Sequence, residues 1–203
     1  MPVKGDSGHT GSRRTQAERS ATTRAALMAA GRELFTEHGF AGAGREQLVE
    51  AAGVTRGAMY HHFANKTELF LAVYEQLEIE VMGKVMAAAK SDDPAVQLRD
   101  GATAYLDAAM DPAVQRVMLI DAPSVLPADV RQRVAERNGL GLVREVLAAL
   151  VDRGAITTQP VEPLARVLLA ALHEAALYVA QSSDHEAARR EVGMTVAQLI
   201  ERL

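Results

Sequence analysis

The densest run of side chains able to do chemistry lies between Arg45 and Lys66, REQLVEAAGVTRGAMYHHFANK. Thr55, Arg56, Tyr60, His61, His62 and Lys66 offer hydroxyl, guanidinium, imidazole and ammonium donors, and Gly57 leaves bare backbone among them. Arg56 can pair bidentately with O6 and N7 of guanine, and Gly57 lets the main chain approach a base edge. Lys66 stands where a helix begins, so backbone N–H groups there also favour an anion. Met59 and Phe63 are four residues apart and share the opposite face. These residues describe a short helix with an apolar side to dock on a core and a donor side to enter a major groove. The competing reading is an αα-hairpin that meets no DNA.

A second pair with chemical potential is His173-Glu174, inside the apolar run Leu164 to Ala180. Titratable groups in an apolar helix need partners or a ligand. Three readings stand: an internal hydrogen-bonded pair, part of a ligand cavity, or the acid and base of a helical hydrolase or isomerase. Other catalytic patterns fail. His173-Glu174-Ala175-Ala176-Leu177 lacks the second histidine of a zinc HExxH site. No GxSxG elbow or phosphate-binding glycine loop occurs. The absence of cysteine excludes disulfides, thiolate metal sites and thiol nucleophiles. His61 and His62 are adjacent and point apart on a helix, a poor metal site. Neither a metal nor a cofactor is expected.

The elements that position these residues read as helices throughout. Hydrophobic residues make up 48% of the 203 and aromatics 4%, so the core must be built from Ala, Leu, Val and Met, mostly good helix formers. No stretch alternates with the period of a strand. The expected fold is all-α. A first helix spans Ala17 to His38, closed by Gly39, with Phe40 packing back on the core. Arg45 to Phe63 forms two short helices joined at Gly53, with Thr55 capping the second. Asn65 caps a long fourth helix reaching Ala89. Pro94 opens another that ends near Met110, and Val114 to Asp121 marks the next. Ala128 to Asp152 is one helix with a distortion expected near Asn138-Gly139-Leu140-Gly141. Pro163 to Gln181 and Asp184 to Leu203 complete the chain. The run Leu164 to Ala180 is broken by Arg166, His173 and Glu174, and reads as a buried helix rather than a membrane span. Residues 1–17, rich in Gly, Ser and Thr, read as a disordered basic tail. The alternatives for it are a solvated segment or an arm contacting a minor groove. No secretory signal is present, which fits the cytoplasm. Charge is uneven: residues 1–66 carry 9 Lys/Arg against 6 Asp/Glu, a net of +3, and residues 67–203 carry 13 against 20, a net of −7. A basic head on an acidic body can bind phosphates locally while the whole stays acidic.

Gly53, Val54, Thr55, Gly57, Tyr60, His62, Phe63, Lys66, Leu69 and Phe70 fall on a recognition-segment pattern. In it, Gly-Val-Ser/Thr-x-Gly-x-Leu/Phe-Tyr-x-His-Phe precedes two residues, a lysine and an apolar pair. The chain resembles TetR-type transcriptional regulators, closely from Leu27 to Tyr74 and only in helical layout beyond. The resemblance implies a three-helix helix-turn-helix head (18–66), joined by a long helix 4 to a ligand-binding and dimerisation body (67–203). It implies DNA contacts by Thr55, Tyr60, His61 and Lys66, with Thr55, Tyr60 and Lys66 mainly on phosphates, and a structural role for His62. Ahead of the second helix, Ala43-Gly44-Arg45 stands where the family usually has Thr-Thr/Ser and an aliphatic residue. The usual hydroxyl cap is missing, and Arg45 is either a replacement DNA contact or a solvated first-turn residue. The resemblance further implies a homodimer through the last two helices, an approximately palindromic operator, and a small-molecule effector bound in a cavity among helices 4 to 8. Candidate cavity liners are Tyr105, Met118, Asp121, Arg144, His173, Glu174 and Tyr178. The expected function is a DNA-binding regulator, a repressor released by its effector.

Overall fold

The structure, a computed structural model, describes residues 15–203. The expected tail lies outside the described residues except at its end. There Thr15 accepts from the Glu18 N–H at 3.2 Å while its own N–H donates to the Glu18 carboxylate at 2.6 Å. That reciprocal box starts the first helix at Gln16, so residues 15–17 belong to the helix and not to a tail.

The described residues form nine helices and no strand. They are α1 (Gln16–Gly42), α2 (Arg45–Ala51), α3 (Arg56–His62), α4 (Lys66–Ala88), α5 (Pro94–Ala108), α6 (114–125), α7 (128–152), α8 (Val161–Gln181) and α9 (His185–Glu201). Gly39 interrupts α1 at φ +70°, a conformation that costs glycine little, and one further turn leads to Ala43. Asn65 caps α4 by accepting from the Glu68 N–H at 2.9 Å, and Asp93 with Pro94 opens α5. Two elements are not plain α-helix. α6 runs as a π-helix over Val114–Asp121 before Ala122–Val125. In α7 a π-helical stretch, Glu136–Leu140, lies between Ala128–Ala135 and Gly141–Asp152. The distortion expected near Asn138 is this widened turn. It brings Gly139 so near α4 that a Cβ there would stand 3.3 Å from the Met82 sulfur.

One apolar core runs from Leu27 in α1 to Val196 in α9. An aromatic cluster joins α1 to α4. Phe35, Phe40 and Phe70 lie with ring centroids 5.2–6.1 Å apart, two of the three pairs edge-on. Arg32 of α1 reaches Glu80 of α4 at 2.7 Å and Asp111 at 3.8 Å, so α1 is tied to the body by charge as well as packing. α8 is long and apolar enough to cross a membrane by length and composition, with a mean hydropathy of 1.3. Here it packs against α5, α6, α7 and α9. It still leaves Val167 (67% exposed) and Tyr178 (52%) outward, and α9 leaves Met194 and Leu199 outward. The expected buried helix is therefore covered only in part within a single chain.

Candidate functional site

The head presents its donors on a frame set by two turns. At the end of α2 the Val54 N–H bonds to the Val49 carbonyl at 3.1 Å and the Gly53 N–H to Glu50 at 3.0 Å. Gly53 stands at φ +63°. This left-handed cap fixes the angle between α2 and α3. Thr55 then caps α3, its hydroxyl accepting from the Ala58 N–H at 3.2 Å and keeping its own proton to donate. Met59 and Phe63 are buried, which leaves Thr55, Arg56, Gly57, Tyr60 and His61 exposed on the other side. A Cβ on Gly57 would meet nothing nearer than the Thr55 hydroxyl at 4.0 Å, so the fold itself has room for a side chain there.

The cations of this face are only loosely held. Arg56 donates to Glu46 at 2.8 Å and Arg45 to the Tyr60 hydroxyl at 3.2 Å, both on the surface. Exposed pairs of this kind yield readily to a stronger partner. Arg45 is thus neither buried nor idle, since it lies along the recognition helix. Ala43, fully buried, fills the core place next to it. The missing hydroxyl cap of α2 is partly replaced by Gln47, whose side-chain oxygen accepts from the Gly44 N–H at 2.8 Å.

Lys66 is more constrained than its sequence position suggests. Its ammonium donates to the carbonyls of Phe40 (2.6 Å) and Ala43 (3.0 Å) and lies 4.3 Å from the centre of the Phe40 ring. Partial burial, and then the nearby Arg45, hold its pKa below the usual lysine value. Two of its three donors are engaged, leaving one for a phosphate. His61 and His62 sit edge to face, 5.2 Å apart, at the end of α3.

In the body, α4, α5, α7 and α8 line a half-open cavity of about 430 Å³. Its walls are mostly aliphatic, among them Val85, Leu98, Leu142, Val146, Leu169 and Leu172. The polar groups are Tyr74, Glu78, Gln97, Tyr105, Arg131, Gln132 and His173. The Tyr74 hydroxyl donates to Glu78 at 2.9 Å. Burial pushes the Glu78 carboxyl above its ordinary pKa, against the opposing effect of that hydrogen bond. Burial also raises both tyrosines, and Glu78 adds to the rise. Tyr105 is hemmed in by protein yet keeps accessible surface, because that surface faces the cavity. His173 is held below its ordinary pKa by burial and then by Arg131, while Glu174 pulls the other way.

Of the residues expected to line a cavity, Tyr105 and His173 do so. Met118, Asp121, Arg144, Glu174 and Tyr178 lie outside its walls, each for a physical reason. Met118 and Asp121 belong to α6, which contributes nothing to the cavity and packs on α1. Arg144 turns outward to Glu162 at 3.1 Å. Glu174 and Tyr178 are exposed on α8. His173 and Glu174 therefore look in different directions, one into the cavity and one to the surface. They form neither an internal pair nor an acid–base pair on one substrate. The sequence reading overlooked Tyr74, Glu78 and Arg131. The signal for the first two was present: a polar pair at i and i+4 on the side of α4 that also carries Leu77 and Val81.

Asp121 has another role. Its carboxylate accepts from the Phe40 N–H at 2.6 Å, across 81 residues, and from Arg116 at 3.4 Å. The Arg116 guanidinium lies so close over Gly39 that a Cβ there would collide with it. The body thus grips the chain where α1 bends into the head.

Residues 27–73 match the family described as bacterial regulatory proteins, tetR family, and residues 95–203 match the tetracyclin repressor-like C-terminal domain. The chain belongs to the TetR family. A TetR-family transcriptional regulator from Pectobacterium atrosepticum superimposes with a TM-score of 0.77 at 30% identity, covering 92% of this chain and 95% of that one. The transcriptional regulator CymR of Pseudomonas putida is 36% identical over 147 residues, 70% of this chain and 72% of its own. The transcriptional repressor AcnR of Corynebacterium glutamicum is 32% identical over 140 residues, 63% and 72% respectively. As a TetR-family regulator the chain carries its helix-turn-helix in α2 and α3, and it is a DNA-binding protein, not an enzyme.

Proposed function

We propose that this chain is a homodimeric, cytoplasmic repressor that leaves an approximately palindromic operator when a small molecule fills the body cavity. One observation carries the reading: α4 belongs to both sites. Lys66 at its start braces the head, and Tyr74, Glu78, Met82 and Val85 further along line the cavity. Between Lys66 and Glu78 lie about 18 Å of helix at 1.5 Å per residue, short enough to move as one body. On this reading the head is 18–66 and the ligand-binding and dimerisation body 67–203. Arg56 reads a base edge and Gly57 admits the backbone, while Thr55, Tyr60, His61 and the remaining donor of Lys66 position the helix on phosphates. Arg45 joins them once Tyr60 turns to the backbone. Val167, Tyr178, Met194 and Leu199, exposed in the single chain, supply apolar surface for a second copy. Two recognition helices then enter successive major grooves about 34–36 Å apart.

The effector must bind the DNA-incompetent state better. A coupling of about 1–3 kcal/mol weakens operator binding roughly 5- to 150-fold, and operator weakens effector binding by the same factor. Selection of bound duplexes from a random library is expected to return paired half-sites at that spacing. Recovery of unpaired or random sequences would remove the operator reading.

A further inference from the structure

The polar groups of the cavity point to the chemistry of its occupant, an inference that rests on the cavity being the effector site. Arginine stays charged in any protein environment, and its planar fork matches a carboxylate. Elsewhere in the body Arg116, Arg133, Arg137, Arg144, Arg166 and Arg189 each have a carboxylate within 4.0 Å. Arg131, the only arginine on the cavity wall, has none among the described residues. Its single hydrogen bond is from Nε to the Leu126 carbonyl at 3.4 Å. A guanidinium against aliphatic walls is costly unless an anion meets it.

Glu78 lines the same cavity but does not serve. It forms no ion pair with Arg131 and is bonded to Tyr74, and burial favours its neutral form. His173, on the same wall system, is likewise biased to neutrality by burial and by Arg131 itself, leaving an N–H free to donate. The cavity is therefore apolar over most of its surface, with the Arg131 guanidinium as its one permanent charge, unpaired among the described residues. Its volume of about 430 Å³ is toward the small end of ligand sites, which run from about 300 to 1,000 Å³.

We infer that the cavity takes a small amphipathic monocarboxylate, its hydrocarbon body among Leu98, Val146 and Leu169 and its carboxylate forked on Arg131 with His173 beside it. A cationic amphiphile would meet Arg131 as a like charge. A neutral one would leave the guanidinium unpaired.

The test is calorimetric titration of the full chain with hexanoate, octanoate and decanoate, and with octanamide and octylamine as matched probes of other charge. At least one carboxylate is expected to bind about tenfold or more tighter than the amide and amine. Arg131→Met should abolish that preference, and Arg131→Lys should retain part of it. Thermal unfolding checks that both variants fold. If Arg131→Met does not fold, Arg131→Lys and His173→Phe decide, each expected to narrow the preference. Equal or tighter binding of octylamine or octanamide, a preference indifferent to these substitutions, or no binding by any carboxylate would overturn the inference. Operator binding measured alongside separates the two claims. A carboxylate held through Arg131 that leaves operator affinity unchanged upholds the ligand class and refutes the effector role. Release by octylamine and not by carboxylates does the reverse.

Discussion

The recognition surface and the body cavity hold their cations in opposite ways. On the head, Arg45 and Arg56 lie on the surface in pairs with Tyr60 and Glu46, each within fifteen residues along the chain. In the body, Arg131 is half-buried and faces a cavity with largely aliphatic walls, where burial biases Glu78 and His173 toward their neutral forms. An exposed cation is cheap to hold, sensitive to salt, and quick to change partners. A half-buried one beside aliphatic walls is less well solvated, is screened less by salt, and gains more from a partner that fits. The first suits a surface that must slide along phosphates before settling on bases. The second suits a site that must distinguish one small molecule from the rest of the cell.

The largest test asks whether the two regions are separate at all. Phe70→Ala removes the ring shared by Phe35 and Phe40, and should cost about 3–5 kcal/mol. Because the core is continuous, urea unfolding should stay a single transition at lower midpoint. Two resolved transitions would break head from body. Next, Arg56→Ala should weaken operator binding by about 1–3 kcal/mol and relax preference at one base pair. Octanoate binding should not change. Loss of both would mean the contrast between surface and cavity cation is false. Asp121→Ala leaves the Phe40 N–H without its acceptor, a loss of about 1–3 kcal/mol in stability. Operator binding by the variant should persist while its response to ligand falls, read as a smaller ratio of operator affinities without and with ligand. An undiminished ratio would show that α6 carries no coupling.

The smallest effect is a pH dependence. Folding raises the Glu78 pKa above its ordinary 4.5, so the folded state holds its proton more tightly than the unfolded one. Its contribution to stability is complete below 4.5 and is lost as pH rises through the raised value. Glu78→Gln, which can still accept from Tyr74, should therefore gain in melting temperature relative to the parent as pH rises above 4.5. A constant difference would mean the carboxyl titrates normally and the cavity is wetter than its walls imply.

The same contrast governs what could be read before the fold was known. The helix-turn-helix was legible because its signals are local. Gly53, Thr55, Met59 and Phe63 each act on neighbours within a few residues, and the caps at Asn65 and Pro94 work the same way. The cavity is assembled from α4, α5, α7 and α8, so no short stretch describes it. Tyr105 and His173 stood out as polar residues in apolar helices. Arg131 did not, because a charged residue near a helix start reads as solvated surface until the packing of α7 is known. Asp121 was misread for a related reason. Followed by Ala122-Pro123, it looks like a stop signal or a polar liner, and its partner is 81 residues away. The exposed Val167 was read as buried, and Tyr178 as a cavity liner, because composition alone does not tell a surface covered by the same chain from one left for another.

Phe40 shows what such a distant contact does. The peptide joining Gly39 to Phe40 is planar and resists twisting. Its N–H is held by Asp121 of the body, and its C=O accepts from the Ala43 N–H at 3.1 Å. Ala43 in turn gives its own carbonyl to Lys66 at the foot of α4. This single rigid plate has one edge in the body and the other at the threshold of α2. A shift of Asp121 would turn this plate, and through Ala43 the turn would reach the threshold of α2 and the foot of α4.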